Sequence, residues 1–286
     1  MKIQTVAVVG SGIMGRQIAM QVALSGYDVL CYDFSEEALG AAKDFSVTWF
    51  EKAVSKEKMT NEESETIQQR LVFTNDLEEV RMRNVDLVIE AVADILEVKR
   101  AVLAEVDAVT SDHTIFASNS SYLVSSEFAD AVKHPDKVMN MHFFNPALIM
   151  KLVEIVRGPH VSDETFETIH EFVLSIDKIP AVINKEIYGF VVNRIFSAIT
   201  KEACYLYDQG VASIEDIDTA VKHGLSHPMG PFELLDLTGI DLEYNVLMER
   251  FKATGNPADK PSPALVERYA KNQYGRKTKK GFYDYE

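Results

Sequence analysis

The feature that most constrains this chain is a glycine loop placed between two kinds of periodicity. An apolar, β-rich run from Ile3 to Val9 leads directly into Gly10-Ser11-Gly12-Ile13-Met14-Gly15, and Met14 to Leu24 then repeats at helical spacing. The next apolar run, Asp28 to Tyr32, ends on an acid, Asp33. Strand, GxGxxG, helix and acid in this order form a dinucleotide-binding βαβ unit. Gly10 makes the tight turn, Gly12 lets backbone approach a pyrophosphate, and Gly15 lets helix and strand pack closely. The loop would offer the diphosphate unpaired helix-start amides carrying about half a positive charge. Asp33 would accept the adenosine ribose hydroxyls and repel a 2′-phosphate, so NAD rather than NADP is expected. Arg16 stands in the first helical turn, where a cation opposes the helix dipole; either a nearby diphosphate or solvent would relieve it.

Further strands are predicted at Leu71 to Thr74, Val85 to Ala91, Thr114 to Ala117, Val138 to His142, Leu152 to Val156 and Ile179 to Asn184. Helical patterns separate the early ones, at Glu36 to Val54 and Leu96 to Val109. Continuous apolar strands alternating with helices predict an α/β, doubly wound, Rossmann-like sheet domain, assigned to residues 1–186. After Gly189 the pattern changes. Val192, Phe196, Ile199, Ala203 and Leu206 recur at helical spacing, and helices are signalled over Ser213 to His223, from Pro231, and over Pro263 to Tyr269. A smaller all-α domain is expected over 187–286.

Composition excludes several classes. Against 44 acids stand 29 Lys and Arg, a net charge of −15 that repels phosphate backbones, so no nucleic acid is expected as a partner. An anionic substrate must then meet a local basic patch, around Lys52 and Lys56 or from Arg276 to Lys280. No apolar run reaches the roughly 18 to 20 residues of a membrane span, and the amino terminus lacks a signal-peptide pattern, so a cytoplasmic protein is expected. Cys31 and Cys204 lie in apolar runs and read as reduced, buried thiols. No Cys/His cluster has metal-ligand spacing, and no metal is predicted.

A second constellation lies in Met139-Asn140-Met141-His142-Phe143-Phe144-Asn145-Pro146, which turns at Asn-Pro and returns as Lys151-Leu152-Val153-Glu154-Ile155-Val156. In an antiparallel hairpin centred near Leu148, His142 and Glu154 stand opposite one another. The pattern alone leaves two readings open: a hydrogen-bonded core histidine, or a general base oriented by a carboxylate.

With these segments the chain resembles the L-3-hydroxyacyl-CoA dehydrogenase family, especially its bacterial 3-hydroxybutyryl-CoA branch. The resemblance spans essentially the whole chain. It rests on GSGIMG, the Ser-Asn-Ser-Ser run at Ser118 to Ser121, HFFNP at His142 to Pro146, KLVEIV, GFVVNR at Gly189 to Arg194, HPMGPFELLDLTG at His227 to Gly239, and the closing GFYDY. It implies NAD as cofactor and a coenzyme A thioester of the L (3S) series as substrate. It further implies His142 as the base that takes the 3-hydroxyl proton, with Glu154 orienting it. By the same match Ser121 lines the site beside nicotinamide and substrate, Asn193 donates to the substrate oxygens, and Asn145 contacts the cofactor. Glu90, Asp94 and Lys99 match a cofactor-contacting motif, with Asp94 where Glu is usual, and Lys277 matches a lysine near the dinucleotide. Lys52 and Lys56, one helical turn apart, match the coenzyme A docking helix and would meet its phosphates. Family helical domains pair as homodimers, and a separate enoyl-CoA hydratase or thiolase partner is compatible with the length.

Three departures bear on substrate. Trp49 replaces a small polar residue at the coenzyme A contact, where it either stacks on adenine or packs on its own domain. Ile187-Tyr188 replace the proline usual before the glycine of GFVVN, and Tyr122 replaces a small residue after the serine run. The two tyrosines are expected to narrow the acyl pocket toward short chains. The alternatives are a related dehydrogenase of non-CoA 3-hydroxy acids and a non-catalytic dinucleotide-binding protein; the second is expected to have lost one of Ser121, His142, Glu154 and Asn193, all of which are present.

Overall fold

The computed structural model describes residues 2–286, apart from the side chains of residues 82, 249, 253 and 254. The chain divides into two compact units, the first ending at Phe190 and the second spanning Val191–Glu286.

The first unit is an eight-stranded sheet. Its strands are β1 (Thr5–Val9), β2 (Asp28–Tyr32), β3 (Leu71–Thr74), β4 (Leu87–Glu90), β5 (Ile115–Ser118), β6 (Val138–Phe143), β7 (Leu152–Val156) and β8 (Ile179–Ile183), in the order β3-β2-β1-β4-β5-β6-β7-β8. All neighbours run parallel except β6 and β7. Helices α1 (Ile13–Leu24), α2 (Glu36–Ser55), α3 (Asn61–Arg70), α4 (Leu77–Met82), α5 (Leu96–Val109) and α6 (Asp163–Ser175) flank it.

Burial on both faces explains the continuous apolar strands. Val6 and Val8 join one core cluster with Cys31, Ile89 and Met141, while Ala7 and Val9 join the other with Leu30, Val88 and Phe116. β1 starts at Thr5, two residues later than expected, with the amides of Gln4 and Thr5 bound to the Asp86 carboxylate. The polar helix α3, absent from the sequence reading, is started by a capping box between Thr60 and Glu63, a signal that a strong apolar stripe is not needed to see. Residues 187–190 stay with the first unit because Phe190 is fully buried against Val156 and Ile183.

The second unit consists of α7 (Val192–Asp208), α8 (Ile214–Gly224), α9 (Pro231–Thr238), α10 (Ile240–Thr254) and α11 (Pro263–Ala270), packed around Phe232, Leu235, Ile240, Leu247, Leu265 and Phe282. Two buried acids hold its closing segment. Asp236 accepts from the amides of Phe282 and Tyr283 and from the Tyr285 hydroxyl, and Asp218 accepts from the Tyr283 hydroxyl. Cys31 and Cys204 are free and buried, and burial pushes each thiol up to about 12. Among the described residues no helix is long and apolar enough to cross a membrane, and no group of His, Cys, Asp and Glu is placed to hold a metal.

Candidate active site

Strand order reverses between β1 and β4, and open α/β sheets bind ligands in the crevice beyond the carboxyl ends of strands at such a point. The glycine loop occupies that position. Gly10 has φ +99°, and a Cβ there would stand 2.7 Å from the Ala91 carbonyl oxygen at the end of β4. A Cβ on Gly15 would come within 1.7 Å of the Gly10 carbonyl oxygen, so both glycines are steric requirements. Gly12 differs, because a Cβ there meets nothing within 4 Å. Its lack of a side chain keeps open the space in front of the start of α1. Among the described residues no side chain caps that helix, whereas Ser35 caps α2 through the Ala38 amide. An uncapped helix start facing open space beside a glycine loop fits a diphosphate.

Asp33 organises this loop. One carboxylate oxygen accepts from the Ser11 amide at 2.8 Å and the Ser11 hydroxyl at 2.9 Å; the other accepts from the Ser35 amide at 3.0 Å. A cleft of about 430 Å³ opens beside it, lined by Gly10, Gly12, Asp33 and Ala91 among others. Ile13 and Met14 begin α1 behind the loop, Ile13 exposed. Arg16 lays its guanidinium over the Phe45 ring at 4.2 Å rather than into solvent.

The antiparallel register of β6 and β7 pairs His142 with Glu154. Nδ1 of His142 lies 2.9 Å from Oε2 of Glu154, in a site where the histidine is 4% exposed and the glutamate 0%. A carboxylate only accepts, so this contact calls for an imidazole proton on Nδ1. The Phe144 and Phe190 rings, with centroids 4.5 and 5.6 Å from that of the imidazole, wall it on two sides. The turn between the strands begins with a cis Asn145-Pro146 bond, and the Asn145 side chain accepts from Gln17 of α1 at 3.3 Å. Lys178, 4% exposed, donates to the Ala147 and Met150 carbonyls at 2.6 and 3.0 Å and so holds the same turn. Burial lowers its pKa from the ordinary lysine value.

Between the glycine loop and the hairpin runs the Ser118–Ser121 segment. Ser118 donates to the buried Glu90 carboxylate at 2.6 Å, the Asn119 side chain accepts from the Phe143 amide at 2.9 Å, and Asp94 accepts from the Ser120 hydroxyl at 2.6 Å and the Ser121 amide at 3.3 Å. Lys99 is no surface cation. It is 1% exposed, and its ammonium lies 2.9 and 3.0 Å from the two Glu90 oxygens and 3.3 Å from Asp94. Glu90, Asp94, Lys99, Ser118 and Ser120 form one network under Ser121. Sequence reading did not assign Asn119, Ser120 and Lys178; for the first two, hydroxyl and amide side chains directly after a buried strand were the available signal.

Lys52 and Lys56 are exposed at the carboxyl end of α2, where the dipole favours cations. Trp49 packs on the core and edge-to-face on Phe50, which favours the packing reading. Tyr122 and Tyr188 do meet, with ring centroids 5.2 Å apart. Asn193 is the second residue of α7, and Lys277 pairs with Asp241 within the second unit at 2.6 Å.

Comparison with known proteins agrees with the fold. Residues 5–187 match the NAD binding domain of 3-hydroxyacyl-CoA dehydrogenase, and residues 189–285 match the C-terminal domain of the same family. The 3-hydroxybutyryl-CoA dehydrogenase of Clostridioides difficile is 39% identical over 98% of each chain. The mitochondrial hydroxyacyl-coenzyme A dehydrogenase of Homo sapiens is 38% identical over 99% of this chain and 91% of its own. The crystal structure of (S)-3-hydroxybutyryl-CoA dehydrogenase from Ralstonia eutropha superposes with a TM-score of 0.92 at 32% identity, covering 100% of both chains. The chain therefore belongs to the 3-hydroxyacyl-CoA dehydrogenase family of NAD-dependent oxidoreductases.

Proposed function

We propose that the chain interconverts L-3-hydroxyacyl-CoA thioesters, short-chain ones such as 3-hydroxybutyryl-CoA, and their 3-oxo forms, with His142 as base and acid. The observation that carries the reading is the buried His142–Glu154 pair at 2.9 Å. With its Nδ1 proton held by Glu154, His142 presents the Nε2 lone pair to the substrate's 3-hydroxyl. It takes that proton as the carbon–hydrogen bond breaks, and Glu154 stabilises the imidazolium that results. In the reverse direction the same nitrogen returns the proton to the 3-oxo oxygen. NAD, when bound, supplies the acceptor for the hydride of carbon 3. Gly10, Ser11, Gly12, Ile13, Met14, Gly15 and Asp33 would hold it, with Asp94, Lys99, Asn145 and Lys277 as further contacts.

Ser121 and Asn193 would donate to the substrate oxygens, which orients the reacting carbon and stabilises developing charge. Lys52 and Lys56 would attract the coenzyme A phosphates. The Tyr122–Tyr188 contact supports a narrowed acyl pocket. Val191, Ile195 and Tyr205, exposed along one face at α7, support a homodimer in the cytoplasm, compatible with a separate hydratase or thiolase.

The test follows NADH loss with acetoacetyl-CoA, with free acetoacetate and with a ten-carbon 3-oxoacyl-CoA. Turnover on acetoacetyl-CoA far above the other two is expected. Preference for the free acid would overturn the thioester reading, and equal efficiency on both thioesters would overturn the short-chain one.

A further inference from the structure

The cleft beside Asp33 has a second side with no role so far. Beyond the glycine loop its walls are apolar, made by Ala38, Val92 and Val102. Phe34, directly after Asp33, lines it and is 84% exposed. A single exposed aromatic needs no explanation, but one at the mouth of an apolar cleft offers a flat cover for a planar ring. Glu105 lines the same cleft from α5, one turn beyond Val102. It has no hydrogen-bond or ion-pair partner among the described residues, while the other carboxylate lining the cleft, Asp33, is engaged by Ser11 and Ser35. Among the described residues no lysine or arginine lines the cleft. Burial first, and the Glu105 carboxylate next, hold the Tyr32 phenol above its ordinary range, which agrees with a carboxylate close to the cleft wall.

We propose that Glu105 and Phe34 read the adenine base of the dinucleotide, Glu105 by accepting a hydrogen bond from the exocyclic amine and Phe34 by covering the ring. This rests on the seating of NAD with its adenosine end at Asp33. An ionised carboxylate only accepts, so it selects a base that donates at that edge. Hypoxanthine carries a carbonyl where adenine carries the amine, and would set acceptor against acceptor.

Calorimetric titration of the full chain with NAD and with nicotinamide hypoxanthine dinucleotide tests this without turnover. Wild type should bind NAD about tenfold more tightly, the ratio one charge-assisted hydrogen bond confers. In Glu105→Gln the ratio should fall toward one, since an amide can donate as well as accept. In Phe34→Ala both affinities should fall several-fold with the ratio kept. Equal binding of the two dinucleotides by wild type, or an unchanged ratio in Glu105→Gln, overturns the proposal while leaving the seating intact. An Asp33→Asn variant with wild-type NAD affinity overturns the seating itself.

Discussion

The glycine-loop end of the sheet and the β6–β7 hairpin are built by opposite means. At the loop the open surface is backbone: Gly12 leaves space, the start of α1 leaves amides, and Asp33 holds Ser11 and Ser35 in place. The hairpin instead brings together two side chains, His142 and Glu154, whose meeting is set by strand register. A backbone site tolerates changes of side chain but not the addition of a Cβ. A side-chain site keeps its shape through a substitution and loses its chemistry. Binding and catalysis should therefore be separable by mutation.

The sharpest break is His142→Gln. Turnover with acetoacetyl-CoA and NADH should fall by roughly 10²- to 10⁴-fold, the usual contribution of a positioned base, with NAD affinity by calorimetry nearly unchanged. Wild-type turnover would remove the base assignment. Lys99→Met attacks the network that joins the two ends. It strands the Glu90 carboxylate in a fully buried site, for which a loss of about 3 to 5 kcal/mol in denaturant unfolding is expected. The double variant Glu90→Gln/Lys99→Met should recover part of that loss; no recovery would mean the ammonium holds the fold by other contacts.

Gly12→Ala is the mirror of the histidine variant. Its methyl enters open space, so the thermal midpoint should stay put while NAD affinity drops by about tenfold, or about 1.4 kcal/mol. Unaltered affinity would place the diphosphate elsewhere. The smallest effect lies in the second unit. Glu243 is 5% exposed and accepts from Ser197 and Thr200; burial, the largest cause, raises its pKa against those hydrogen bonds. Its stabilising contribution is full below the ordinary carboxylate value and is lost as pH rises through the raised one. Glu243→Gln should melt a little above wild type at about pH 7.5 and lose that advantage near pH 4. An advantage that is constant with pH would show that ionisation is not its source.

The two ends also differ in how far they were legible in the chain itself. The loop spans six consecutive residues, and its flanking strand and helix announce themselves by period. The His142–Glu154 opposition was legible because a single turn separates the strands and the side-chain period of a strand is two. A polar helix was harder: α3 starts on the Thr60–Glu63 capping box and buries Ser64 alone, without the apolar stripe that marks α5.

Local order along the chain thus determined the sheet-and-helix architecture, the glycine loop, and the facing imidazole and carboxylate, because each depends on residues close in sequence or joined by one turn. Folding alone decided that Lys99 is buried on Glu90 and Asp94, that Asn119 ties to the Phe143 amide, that Lys178 holds the β6–β7 turn, and that Phe34 and Glu105 share one cleft. These groups come from different strands and helices. A buried charge or amide takes whichever partner the packed sheet brings within reach, and no period in the sequence records that choice.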